Sequence, residues 1–349
     1  MTDQSSTLEA HTGLARMSDP RAIMRGIRQL GGNAMSATRP PVVRGPLTAE
    51  IKNIRSPVRQ FLDERFTSGL RDVQRRYREG AGTLVVPRSD ANPGTVGTAA
   101  DWLLRFLIHP SPDVHLAMAG AALCRMDGVD LVPALAGITE SLGVPLPRRR
   151  EVREVQTFTG PGPGCDAEPD LLARSCWALA LLTEVFRGGP MVLAAGPLSQ
   201  LRGTAKAASL LALCPPAGLD QLAQFRHVFE TALMPHLAAR RGLWAIGPTF
   251  AGSELMNADA DLIAGGLLLD LKTSSKLSLP VQDMLQVIGY ALLDFDDEFG
   301  VTELGIFSAR YAYLATWPAG SLLDELAGRE VSLQATRAAF RELLTLPSR

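Results

Sequence analysis

The sequence predicts an α+β or α/β core over residues 216–349, ordered helix, three strands, helix, strand, preceded by an all-helical region. Three observations carry this. Residues 98–213 contain Ala- and Leu-rich runs without strand alternation. The pattern changes at Pro215-Pro216. Beyond it, two short apolar runs meet at Gly265-Gly266, a two-residue hairpin signal because both positions tolerate the positive φ of the primed turns.

A length of 349 residues suggests two domains. The expected division is a flexible basic arm over 1–46, a helical domain over 47–215, and a second domain over 216–349 that ends in a helix. The arm is rich in Ser, Gly, Pro and Arg and has little periodicity. From Ser56 to Glu79, the apolar residues Val58, Phe61, Leu62, Phe66, Leu70, Val73 and Tyr77 recur at helical spacing. Arg65, Arg71, Arg75, Arg76 and Arg78 on that helix read as a solvated face, with phosphate contact as the alternative.

Gly94 to Thr98 lacks the Gly-Lys-Ser/Thr ending of a phosphate loop and reads as a tight turn, with Thr98 capping a helix to Ile108. Further helices are expected over Val114–Met126, Leu131–Leu142, Leu171–Phe186 and Thr204–Leu213. Arg148, Arg149, Arg150 and Arg153 precede a Gly-Pro alternation over 160–164, which cannot be helix or central strand. After Pro216 come a helix over Leu219–His236 and strands over Leu243–Phe250, Asp259–Ala264 and Leu267–Thr273. A helix over Pro280–Asp294 and a strand or strand pair over Glu303–Trp317 complete the order.

Composition narrows the function classes. A hydrophobic share of 46% and a charged share of 20% suit a folded chain. No apolar run approaches the ~18 residues of a membrane span, and the polar start is no signal peptide, so a cytoplasmic protein without a membrane partner is expected. Cys124, Cys165, Cys176 and Cys214 are scattered without a CxxC pair and read as core thiols. Net charge is −1, yet residues 1–80 hold fourteen Arg and Lys against eight Asp and Glu, a local surplus of six positive charges.

The chemistry-bearing stretch is 258–273. With Gly265-Gly266 as the turn, Ala264 faces Leu267, Leu262 faces Leu269, and Asp261 faces Asp270. Side chains alternate along a strand, so Asp259 and Lys272 form the next pair on the same face, while Leu262, Leu269 and Leu271 point the other way. Like charges opposed across a hairpin repel unless a cation lies between them, and a divalent ion suits hard oxygen ligands. Asp261 and Asp270, with the Leu271 carbonyl and water, are the expected ligands of Mg²⁺ or Mn²⁺. Lys272 would orient or activate the attacking water. A surface ion pair is the ordinary reading of Asp-x-Lys, but Leu267-Leu268-Leu269 runs straight into Asp270, which marks the strand as buried.

These residues resemble the PD-(D/E)XK superfamily, the restriction-endonuclease-like nucleases, and within it the RecB-type members. Asp261 matches the first Asp, and Asp270-Leu271-Lys272 matches the second element. Gln282, Gln286 and Tyr290, spaced by four on the next helix, match the last. The resemblance covers about the last 130 residues. Ala260 replaces the Pro that names the motif, and the cysteine cluster of iron-sulfur members is absent. It implies a restriction-endonuclease-like core and a metal-dependent nuclease acting on nucleic acid, DNA before RNA, in defence against phage or DNA processing. It also implies that Gln286 and Tyr290 help set the lysine and the scissile phosphate, and that Glu230 or His227 from the first helix joins the site. The helical region would then serve regulation, substrate selection or a protein partner. The alternative is a catalytically silent nuclease-fold subunit that binds nucleic acid or acts as a scaffold in a larger complex.

Overall fold

A computed structural model describes residues 44–146 and 155–346. Residues 1–43 of the expected arm, and Arg148, Arg149, Arg150 and Arg153, lie outside the described residues. The architecture is mixed α+β: a six-stranded mixed sheet with helices packed on both faces.

The sheet is built outward from one hairpin. Gly265 and Gly266 take φ of +53° and +83°, as the primed turn requires, and join β5 (Leu262–Ala264) to β6 (Leu267–Lys272). Leu262 pairs with Leu269, Ile263 with Leu268, and Ala264 with Leu267, which is the register read from the turn glycines. β4 (Leu243–Ile246) pairs antiparallel to β5, and β7 (Glu303–Ser308) runs parallel to β6. A parallel neighbour needs a crossover, which α12 (Val281–Leu293) supplies. β7 turns back through Ala309–Tyr311 into β8 (Tyr313–Pro318), so the stretch over 303–317 is a strand pair.

Alternation along β6 sends its residues to two cores. Leu267 and Leu269 join Leu262, Ala264 and Phe307 against a layer of helices that includes α4 (Pro93–Ile108), α5 (His115–Cys124), α6 (Val132–Ser141), α7 (Pro169–Gly188) and α10 (Pro216–Val228). Leu268 joins Ile263, Leu304 and Ile306 against α12, α13 (Ala319–Ala327), α14 (Leu333–Thr345) and the early helices α1 (Leu47–Lys52), α2 (Pro57–Phe66) and α3 (Leu70–Gly80). The helices before residue 81 therefore pack on the sheet face that α12 covers.

Three sequence expectations need correction. The region over 47–215 is not all helical: β1 (Val129–Asp130) pairs with β3 (Gly203–Thr204), and β2 (Thr157–Thr159) adds to β4 as the edge strand of the main sheet. Strands this short leave no period to read. The helix over 56–79 is two helices, broken where Gly69 approaches the Glu325 carbonyl so closely that a Cβ would lie 2.1 Å from it. Thr98 is no cap. α4 starts five residues earlier with Pro93 at its first position, and Asn92 accepts from the Gly94 and Thr95 amides.

Candidate active site

Asp261, Asp270, Lys272, Gln286 and Tyr290 come together where β6 ends, on the sheet face covered by α12. Asp270 follows Leu268 on that face and is 2% exposed. Its Oδ2 lies 2.9 Å from Lys272 Nζ as an ion pair, but the alignment is poor and the atom accepts no hydrogen bond. Asp261, one residue before β5, accepts the Leu271 amide on Oδ2 at 2.6 Å, which fixes it beside the Asp270-Leu271 peptide. Lys272 Nζ donates to Gln286 Oε1 at 3.1 Å, and Gln286 Nε2 donates to the buried Tyr290 hydroxyl at 2.7 Å. The spacing by four on α12 thus produces a relay ending on the lysine. Gln282, one turn earlier, is exposed.

Other expected residues lie elsewhere. Asp259 does not join Lys272. It pairs with Arg187 at 3.1 Å on the surface, because β5 starts only at Leu262 and the alternation assumed for it stops there. Glu230 is exposed and paired with Arg226 at 2.8 Å, and His227 is exposed too. Their helix packs Phe225, Val228 and Phe229 against the opposite sheet face, which keeps both away from Asp270.

Three residues that the sequence reading missed complete the surroundings. Asp283, on the first turn of α12, lies 3.4 Å from Lys272 Nζ. Its signal was present, three residues before Gln286 on the same helical face. Asp101 and the buried Arg105 pair at 2.8 Å on α4, and both are within electrostatic reach of Asp261. A charged i,i+4 pair inside the apolar run Ala99–Ile108 was their signal. Gly247, at φ +55°, donates its amide to the Asp261 carbonyl, and an added Cβ would lie 2.6 Å from the Arg105 guanidinium. The strand end is held from outside as well. Arg310 donates to the carbonyls of Thr273, Val86 and Pro87 and to Gln221 Oε1.

The electrostatics favour a cation. Burial first, then Asp270 and Asp101, push the Asp261 carboxyl well above the usual range. Burial also raises Asp270, although Lys272 opposes it. Burial alone would lower Lys272, but Asp270 and Asp283 outweigh it and keep the ammonium protonated. With every group ionised, as a bound cation would favour, four carboxylates (Asp101, Asp261, Asp270, Asp283) meet two cations (Arg105, Lys272), an excess of two negative charges. Among the described residues no group of three or more His, Cys, Asp or Glu is arranged to hold a metal ion. A two-carboxylate site is what Mg²⁺ commonly uses, with water and substrate oxygens filling the rest. Asp270 Oδ2, ion-paired with Lys272 but without a hydrogen bond, and the charge excess both fit that ion, with Asp261, Asp270 and the Leu271 carbonyl as its holders.

No family model, curated protein or solved structure matches the chain. No helix among the described residues is long and apolar enough to cross a membrane.

Proposed function

We propose that the chain is a Mg²⁺- or Mn²⁺-dependent phosphodiesterase of the PD-(D/E)XK type, with a restriction-endonuclease-like core, that hydrolyses nucleic acid, DNA before RNA. The observation that carries this is the convergence of Asp261, Asp270 and Lys272 with the Gln286–Tyr290 relay, on a strand whose neighbouring residues are buried and apolar. A bound divalent ion would polarise the scissile phosphate and lower the pKa of a water.

The chain's own residues supply the remaining chemistry. Asp261 and Asp270 present the oxygens and are kept in place by the Leu271 amide and by burial. Lys272 carries a fixed positive charge suited to a phosphate oxygen or to an attacking water. Gln286, itself held by Tyr290, keeps that ammonium from swinging into solvent. The exposed arginines of α3 are candidate phosphate contacts, although Arg75 and Arg76 already pair with Asp72, Glu79 and Glu325.

The test is incubation with plasmid, linear duplex, single-stranded DNA and RNA, with and without Mg²⁺ or Mn²⁺, beside Asp270→Asn. Metal-dependent cleavage by the wild type alone is expected. Cleavage that persists in excess chelator would overturn the reading. Nucleic-acid binding without cleavage of any substrate would favour the silent subunit.

A further inference from the structure

Lys272 has more negative partners than it needs, and one of them has a second duty. Its Nζ lies 2.9 Å from Asp270 Oδ2, 3.1 Å from Gln286 Oε1 and 3.4 Å from Asp283 Oδ1. The ammonium donates a hydrogen bond to Gln286 and is ion-paired with both carboxylates. Asp270 cannot serve the lysine and a divalent ion equally, because an oxygen turned to the cation is lost to Nζ. Asp283 has no such conflict. It is anchored on the first turn of α12, its side chain is 27% exposed, and it forms an ion pair with Lys272.

We infer that Asp283 is a positioning residue that holds the Lys272 ammonium when Asp270 turns to the cation. This rests on the metal site proposed above. Asp283 and Gln286 sit three apart on one helix and approach Nζ from the same element, so together they fix the lysine without help from β6. Asp261 also acts on the lysine's charge, but it is itself one of the proposed cation holders. Ser308 stands beside Lys272 on β7 and is hydrogen-bonded to Tyr77 of α3, and neither offers a substitute charge. Without Asp283 the lysine would keep only Gln286 and the carboxylates that the ion also claims. The sequence pattern Gln282–Gln286–Tyr290 omits this residue, whereas the structure pairs it with the lysine and leaves Gln282 exposed.

Removing any nearby carboxylate weakens cation binding through space, so the test must separate that effect from action through the lysine. The appropriate measurement is Mn²⁺ binding by calorimetry to the full chain as wild type, Asp270→Asn, Asp283→Asn, Lys272→Gln and the Asp283→Asn/Lys272→Gln double variant. Wild-type binding that Asp270→Asn abolishes would uphold the metal site itself, independently of Asp283. On that background, Asp283→Asn should weaken Mn²⁺ about five- to tenfold, and the same change should do nothing further once Lys272 is Gln. Asp283→Glu should restore most of the affinity. Equal weakening by Asp283→Asn with and without the lysine would overturn the inference and leave the site standing. No Mn²⁺ binding by the folded wild type would overturn both.

Discussion

The two faces of β6 share one backbone and one sequence run, yet they do different work. Leu267 and Leu269 are fully buried in an apolar layer that continues into the helices below. On the other face Leu268 is equally buried, but the next residue outward is Asp270 and the one after is Lys272. Burial that stabilises the first face loads the second with unfavourable charge, because the same exclusion of water raises both carboxyls and leaves Asp270 Oδ2 without a hydrogen bond.

The sharpest way to break this contrast is to exchange the faces. Leu269→Asp places an unpartnered carboxylate in the apolar layer and should cost on the order of 4 kcal/mol, enough to unfold many domains. Asp270→Asn should leave the metal-free protein as stable as the wild type or slightly more so, since it removes like-charge repulsion with Asp261. It should also abolish cleavage and the rise in melting temperature on adding Mg²⁺. Lys272→Ala should lose cleavage but keep a Mg²⁺-dependent rise in melting temperature. Melting curves with and without Mg²⁺, beside a cleavage assay, read all three. If Asp270→Asn melted far below the wild type and still cleaved, the carboxylate would be structural.

A second contrast concerns glycines at close approaches. A Cβ at Gly120 would lie 1.8 Å from the Leu182 carbonyl, a backbone atom between packed helices that cannot turn aside. Gly120→Ala should cost about 1 to 3 kcal/mol. A Cβ at Gly97, where α4 passes the end of β6, would lie 3.0 Å from the Thr273 hydroxyl, which can rotate. Gly97→Ala should cost under about 1 kcal/mol. Urea unfolding distinguishes them, and similar losses at both positions would show that the strand end is as rigid as the helix pair.

The two faces should also differ in their response to pH. Asp261 and Asp270 have folded-state values above the ordinary carboxylate range of about 4. Between the unfolded and folded values the native protein holds protons that the unfolded chain has released. Metal-free stability should therefore be greatest below that window and fall as pH rises through it. Asp261→Asn should flatten the fall. A metal-free stability that climbed with pH over the same range would mean that other groups dominate.

The smallest effect concerns the thiols. Burial pushes Cys124 up to about 11 and Cys214 up to about 12, and it raises Cys176 as well. At neutral pH the folded protein should resist alkylation at these cysteines until it is unfolded. Rapid native labelling of Cys176 would show that the helical layer opens.

Some of this was legible because it was local. Gly265-Gly266 set the hairpin register, and register set which face each Leu and Asp would take. The spacing of Gln286 and Tyr290 reached across a single crossover to Lys272. What was not legible depended on distant approach. Asp101 and Arg105 arrive on α4 from more than 150 residues earlier, and no local period announces where such a helix will lie. Asp259 misled because strand alternation was extended past the point where β5 begins. Glu230 followed the expectation that the helix before β4 turns toward the site, whereas its apolar stripe turns to the other face.

β2 gives the molecule a practical seam. The outermost strand on one side of the sheet is contributed by residues 157–159, far upstream of the strands it borders. A fragment beginning at residue 216 would carry every residue of the proposed metal site except the α4 pair, but it would present the bare rim of β4, with Trp244, Ala245 and Ile246, as an open template for a second chain. Such a fragment would also lose α1 to α7, which cover both sheet faces, and should form oligomers or precipitate, so attempts to miniaturise this protein need to keep those helices as well as the Thr157–Thr159 segment.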